Sequence, residues 1–280
     1  MPPKKYLFIV FFLFNAQYVF PQTSLYMPLN FQEAYGNGTR SYNGKPGAGY
    51  WQNNADYKLT AYIDPQTRTL TGTAIITYYN NSPDTLDQIV IRLYQNINKL
   101  GNIHDFPIDE SERSDGMVIS SLEVDGDKID FKNDSSAELT GTNLVIKDQE
   151  IPPGEKVLIN VSWSFVIAKV NTIRMGAYDS TTYFIGYWYP QIAVYDDIDS
   201  WDIIDYTGMV EFYNDFNNYD VSITVPNNMC VWGTGALKNP EIVLAPQLPF
   251  LQLRTVATHT VLRKKRLNQL LVLACIEQRR

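Results

Sequence analysis

From Val157 to Ile167 the chain alternates with a period of two: Val157, Ile159, Val161, Trp163, Phe165 and Ile167 are apolar, and Asn160, Ser162 and Ser164 fall between them. Successive side chains of a strand point to opposite faces, so this pattern gives a strand with one face in a core and one in water, and it cannot give an amphipathic helix. The same alternation recurs at Tyr57, Leu59, Ala61 and Ile63 and again at Tyr219, Val221, Ile223 and Val225. Asp64-Pro65-Gln66-Thr67 is a turn that joins the Tyr57–Ile63 strand to a second strand over Thr69–Tyr79, because proline presets φ at the second turn position. Asn80–Asp84 turns the chain into a third strand, Ile89–Tyr94, and Asp125-Gly126 is a hairpin turn between short strands at Met117–Val124 and Lys128–Phe131. Leu139–Ile146 is a further strand, and Pro152-Pro153-Gly154 breaks the chain before the clean alternation. Strands at intervals of about 10 to 15 residues with hardly any helical period define an all-β fold, a large antiparallel β-sandwich or saddle with short loops and little helix.

Tyr183–Pro226 is the centre of that domain. An aromatic cluster (Phe184, Tyr187, Trp188, Tyr189) is followed by an acidic turn (Asp196, Asp197, Asp199) and then by the last alternating strand. Aromatic rings bury the most area per side chain and unpaired carboxylates resist burial, so the segment enters a core and resurfaces. Trp188, Tyr189 and Trp201 are the candidate substrate-binding residues, as rings lining a peptide or sugar groove, with core packing as the favoured alternative.

The rest of the chemistry is excluded rather than found. The charge of −7 lacks the basic footprint of a nucleic-acid binder. Two cysteines, Cys230 and Cys275, give neither a disulfide framework nor a cysteine zinc site. The histidines are His104 and His259, and neither is followed by a second histidine at the zinc-peptidase spacing, so no metal ligand and no catalytic residue is assigned. His104 lies in a loop where residues 105–115 carry five acids against Arg113, and it reads as a solvated side chain. Asp196 and Asp197 suit a carboxylate pair or a calcium site, but adjacent acids in a turn more commonly bond their own backbone.

DYKLTAYIDPQTRTLTGTAIITYYNNSPDTLDQIVIRLYQN, starting at Asp56, resembles the opening of the N-terminal domain of the aminopeptidase N family of zinc metallopeptidases. WYPQIAVYDDIDSWD from Trp188 and EFYNDFNNYDVSITVP from Glu211 resemble later parts of that domain in secreted bacterial members, so the likeness spans roughly residues 50–244. The resemblance implies a β-saddle that packs on a thermolysin-like domain and helps wall its cleft, with zinc bound in full-length relatives and no cofactor in this chain. HExxH, its downstream glutamate, the G-x-M-E-N strand and the catalytic tyrosine have no counterpart here, so no zinc-peptidase activity is expected of the chain alone. Tyr183–Tyr187, where relatives offer an acid or amide to the substrate amine, has neither, and no substrate residue is carried over. The expected partner is that missing catalytic domain, with a peptide as substrate. The competing reading is a free-standing extracytoplasmic β-sandwich that binds peptide or glycan.

The ends complete the expected division. Lys4, Lys5 and the apolar run Tyr6–Phe14 read as a signal peptide over residues 1–22, because the run is far short of the roughly 20 residues needed to span a bilayer. An exported protein, periplasmic, secreted or on the cell surface, follows from it. Residues 23–49, rich in Asn, Gly and Tyr, read as an extended lead-in, and 50–244 as the β-saddle. Residues 245–280 carry seven Lys and Arg against Glu277 alone and contain no Gly, Asp or Tyr. This anomalous tail reads either as a basic amphipathic helix over Leu262–Ile276 for a membrane or partner, or as a reading-frame change that replaced a longer continuation; the abrupt shift favours the second.

Overall fold

The computed structural model describes residues 26–130, 135–170, 174–211, 213–226, 229–240, 258–267 and 272–277, the last two stretches as backbone. The signal-peptide expectation lies outside the described residues. The chain divides into two compact units, Met1–Tyr50 and Trp51–Arg280.

In the first unit the expected extended lead-in is instead folded locally. Helix α1, Leu29–Gly36, starts after Pro28, and the chain then closes on itself through an Arg40–Pro46 bridge. Ala34 is its buried residue, and its carbonyl accepts from the Thr39 hydroxyl at 2.9 Å. Proline at the N-cap and a run of fair helix formers account for a helix that lacks a strong apolar period.

The second unit is the expected β-sandwich. Strands β1 (Asn54–Asp64), β2 (Thr69–Tyr79), β3 (Ile89–Arg92), β4 (Val118–Val124), β5 (Asp127–Lys128), β6 (Ala137–Thr140), β7 (Asn143–Ile146) and β8 (Lys156–Val166) fill its first part. They are followed by β9 (Met175–Ala177), β10 (Thr182–Ile185), β11 (Gln191–Ile192), β12 (Tyr195–Asp196), β13 (Ser200–Trp201), β14 (Asn217–Val225), β15 (Met229–Gly233), β16 (Ala236–Leu237), β17 (Thr258–Leu267) and β18 (Val272–Glu277). One sheet has the order β16-β17-β14-β1-β2-β8-β4-β5; two four-stranded sheets have the orders β11-β3-β7-β6 and β15-β18-β10-β9. β12 and β13 form a small hairpin. The stretch considered as a basic helix is thus two strands, β17 beside β14 and β18 between β15 and β10.

Alternation places the core. On β1, β2, β8 and β14 buried and more exposed positions alternate, and the inward set is apolar apart from Gly72 and Asn217, while Tyr62, Ile75, Leu158 and Val166 are apolar residues on the outward face. β3 departs from it: Ile89, Val90, Ile91 and Arg92 are all buried, because this strand is covered on both faces. Among the described strands the pairings are antiparallel except β1–β14, which run parallel with Asp56 opposite Asn218 and Tyr62 opposite Thr224. The Asp64–Thr67 turn is held by the Asp64 carboxylate, which accepts from Gln66 N at 3.0 Å and Thr67 Oγ1 at 2.8 Å. Asp125 and Gly126 both have positive φ, +50° and +95°, as a twisted two-residue hairpin requires.

The centre of the core is Trp163 on β8, fully buried, lying across Gly72 of its partner strand β2. A Cβ at position 72 would sit 2.4 Å from the indole ring, so only glycine fits under it. The indole Nε1 donates to Trp188 O at 2.9 Å and thereby ties the large sheet to the aromatic segment. Gly72→Ala should displace this ring and cost about 1–3 kcal/mol, as overpacking of a tight core does. A shift of the urea midpoint at unchanged slope measures that cost, and an unshifted midpoint would refute the role given to Gly72.

Candidate docking loop and its acidic groove

Trp188 and Tyr189 are fully buried, as core packing expects, and Trp201, 5% exposed, lines one groove of the surface while its ring packs inward. They pack on one another and on their neighbours. Trp188 meets Trp163 and Tyr189, Tyr189 donates its hydroxyl to Tyr219 Oη at 3.0 Å, and Trp201 packs on Tyr78 and Tyr195. Burial pushes the Tyr219 hydroxyl up to about 12.

The other sequence candidates also serve local structure. Asp196 accepts from Ile198 N and Asp199 N, both at 2.9 Å, and from Tyr213 Oη at 3.3 Å, which is the side-chain turn expected of adjacent acids. His104 is not simply solvated: Nδ1 lies 2.5 Å from Phe106 O and Nε2 lies 2.5 Å from Arg113 Nη2. With Nδ1–H donating to the carbonyl, Nε2 is the acceptor for the guanidinium, and both ring nitrogens are engaged. Among the described residues there is no cluster of three or more His, Cys, Asp or Glu side chains able to hold a metal.

A different feature dominates this side of the domain. The described residues of 202–216 connect β13 to β14 without regular structure, and they are fastened from beneath at several points. Arg92, 4% exposed, directs Nη1 at Asn143 Oδ1 (2.9 Å), Asp202 O (3.0 Å) and Ile204 O (2.6 Å), with Nη2 3.5 Å from the Asp202 carboxylate. Its guanidinium also lies over the Tyr94 ring. Asp205 Oδ1 accepts from Thr142 N at 2.8 Å and Asn143 Nδ2 at 3.1 Å. Gly141 makes that approach possible: its φ is +50°, and a Cβ there would come within 2.2 Å of the Asp205 carboxylate. Tyr206 enters a small second core with Tyr94 and Tyr187, where burial pushes its hydroxyl up to about 12. Beyond it Thr207 and Met209 bond the Asp105 carboxylate, and Glu211 takes both oxygens to Arg174 Nη2 at 2.9 and 3.0 Å.

A loop held this firmly nevertheless presents apolar side chains outward. Ile203, Ile204, Met209, Val210 and Tyr213 are 51–74% exposed within eleven residues. All but Met209 line a groove of about 470 Å³ whose walls also include Asp196, Asp199, Asp202, Asp205 and Glu211. Arg92 also lines it, but its charge is committed to the loop carbonyls and Asp202, so the groove is negative. Scattered exposed aliphatics are ordinary, whereas a contiguous set with a charged fringe on an anchored loop has the character of an interface.

Sequence reasoning passed over Arg92, Asp205 and this loop. A signal for the first was present: an arginine inside the apolar run Ile89–Leu93 has to be paired if buried. The loop carried none, because its apolar residues follow no period.

The fold is that of an all-β sandwich carrying an anchored apolar loop. No family model matches the chain, and no curated protein matches it. Solved structures with a similar course include an M1 zinc metallopeptidase from Deinococcus radiodurans bound to a Tyr-Ser-Ala substrate, at 12% identity and a TM-score of 0.46, with 82% of this chain and 44% of that chain covered. Another is aminopeptidase A from Legionella pneumophila in complex with aspartic acid, at 10% identity and a TM-score of 0.46, with 78% and 21% covered. The chain therefore spans less than half the length of these structures. No helix among the described residues is long and apolar enough to cross a membrane.

Proposed function

We propose that residues 50–244 are the non-catalytic β-domain of an exported zinc metallopeptidase of the aminopeptidase N type, and that the loop at 202–216 is the face that seats a thermolysin-like domain. The observation that carries this is the anchored loop itself, with Ile203, Ile204, Met209, Val210 and Tyr213 exposed over a negative groove. The ordered likeness of the segments beginning at Asp56, Trp188 and Glu211 supplies the kind of partner, and two of those segments run into or through the loop. Rigidity matters here because an interface whose backbone is already fixed loses little conformational entropy on docking. The acidic fringe selects a partner face with an apolar centre and a basic rim. In this reading the domain contributes a wall, and the zinc-bound water that attacks the peptide is supplied by the partner domain.

The experiment pairs two measurements on the full chain. Sedimentation should show concentration-dependent self-association that Ile204→Glu with Val210→Glu abolishes, since an uncovered apolar face finds itself. Aminoacyl-amide substrates should not be hydrolysed, with or without added zinc. A monomer at all concentrations that binds no hydrophobic dye would overturn the docking face, and chelator-sensitive hydrolysis would overturn the non-catalytic role.

A further inference from the structure

β1 and β14 run parallel, and Asp56 stands opposite Asn218, so two residues earlier Asn54 and Phe216 come level at the start of the pair. A cavity of about 580 Å³ opens there, lined by Gln52, Asn53, Asn54, Phe216 and Asn218. Four of the five lining side chains are amides and the fifth is a phenyl ring, 53% exposed. This is a built site. Asn53, with no exposed surface, braces it from behind, donating to Tyr78 Oη at 2.8 Å and accepting from Asn81 N at 2.7 Å. Gln52 Nε2 is set by Asp215 Oδ1 at 3.1 Å, and Asn218 Nδ2 by Asp56 Oδ1 at 2.6 Å. The orientation of these amides is therefore fixed before any ligand arrives.

The lining narrows the ligand by its chemistry. No Lys, Arg or His lines the cavity, so it offers nothing to a phosphate or carboxylate. With a single apolar side chain it cannot hold a lipid. An extended peptide cannot add as a strand, because β1 lies between β14 and β2, and β14 between β17 and β1, leaving neither an edge. What remains is a neutral ligand that both donates and accepts at closely spaced positions and has an apolar face for the ring of Phe216. Asn54 presents a donor and an acceptor side by side, which matches vicinal hydroxyls, and the C–H face of a pyranose matches the phenyl. The volume lies within the range of small-ligand clefts, about 300–1,000 Å³. We propose that the Gln52–Asn54 and Phe216–Asn218 cavity is a binding site for a neutral saccharide. It lies outside the aromatic set Trp188, Tyr189 and Trp201, and it does not rest on the docking role of the neighbouring loop.

The test is calorimetric titration of the full chain with cellotetraose, chitotetraose and maltotetraose, with tetra-alanine as the peptide control. At least one saccharide should bind saturably at millimolar concentration or below. Phe216→Ala should weaken it about tenfold, equivalent to about 1.4 kcal/mol, and Asn54→Ala should weaken it as well. Trp232→Ala, which removes a similarly exposed ring on β15, should leave it unchanged, as should Ile204→Glu on the docking loop. Circular dichroism of each variant separates lost binding from lost fold. Absence of binding by all three saccharides, binding indifferent to both Phe216→Ala and Asn54→Ala, or binding of tetra-alanine alone would each overturn the assignment.

Discussion

Arg92→Met should cost about 3–5 kcal/mol of stability and free the loop after Trp201 from its seat. The side chain it replaces is buried and gathers Asn143 Oδ1, two loop carbonyls and the Asp202 carboxylate around one guanidinium. Methionine fills much of the volume, so the loss comes from the acceptors left behind without a donor, the costly side of breaking a buried polar network. Asp202 is 20% exposed and can turn toward water, which keeps the loss within that range. Arg92→Lys should recover only part of it, because an ammonium cannot span the same acceptors as a planar fork. Urea unfolding gives the magnitude, and hydrogen exchange gives the location: faster exchange at residues 202–206 with β1 and β2 unchanged. Uniform acceleration across the domain would show that Arg92 supports the core in general and not the loop.

Asp215→Asn should act in the opposite direction and only at higher pH. Asp215 is 7% exposed at the foot of the same loop, and burial pushes its carboxyl up to about 7; the bond from Gln52 lowers it, and the charge of Asp196 adds to the rise. The unfolded chain releases this proton near 3.8. Between those two values the folded protein holds a proton that the unfolded chain has lost, so stability falls as pH rises through that window and is level above it. At about 1.4 kcal/mol per pH unit the accumulated loss is a few kcal/mol, about 4 at most. Asparagine keeps the acceptor for Gln52 and removes the charge, so the variant should match the parent near pH 4 and exceed it by a few kcal/mol at pH 8. Thermal melts of both proteins across this range measure the gap. A difference that is the same at pH 4 and pH 8 would mean that the carboxyl is not titrating in place.

Where one face of a strand is core and the other is water, the residues of this chain announce it. β2 spans Thr69–Tyr79 as expected, and β8 and β14 begin and end within two residues of their alternating runs. β3 was legible as a strand but not as one covered on both faces, because a short apolar run has no period to read. The parallel β1–β14 pairing was not legible, since alternation says which way a residue faces and nothing about which strand lies beside it. Helix α1 was missed because Leu29–Gly36 buries only Ala34 and so carries almost no apolar stripe. The aromatic cluster enters the core as its sequence suggests, and the exposed apolar surface belongs instead to the aperiodic loop after Trp201. Sites built from tertiary placement, such as Asp205 against Thr142 or Asn54 beside Phe216, leave no local pattern for a sequence reader to find.

The pairing of β1 with β14 also sets an order of assembly. β1 can close on β2 as soon as the Asp64–Thr67 turn has formed, but its other side stays open until Asn217 has been synthesised and returns to it. During that interval an unpaired strand edge is available to any neighbouring chain, the situation in which non-local sheets are slow to form and most prone to stick. Every other hydrogen-bonded neighbour of β2 and β8 lies nearer in sequence. Nascent chains halted before residue 217 should therefore aggregate faster than those extended through Leu267, where β17 has covered the outer edge of β14.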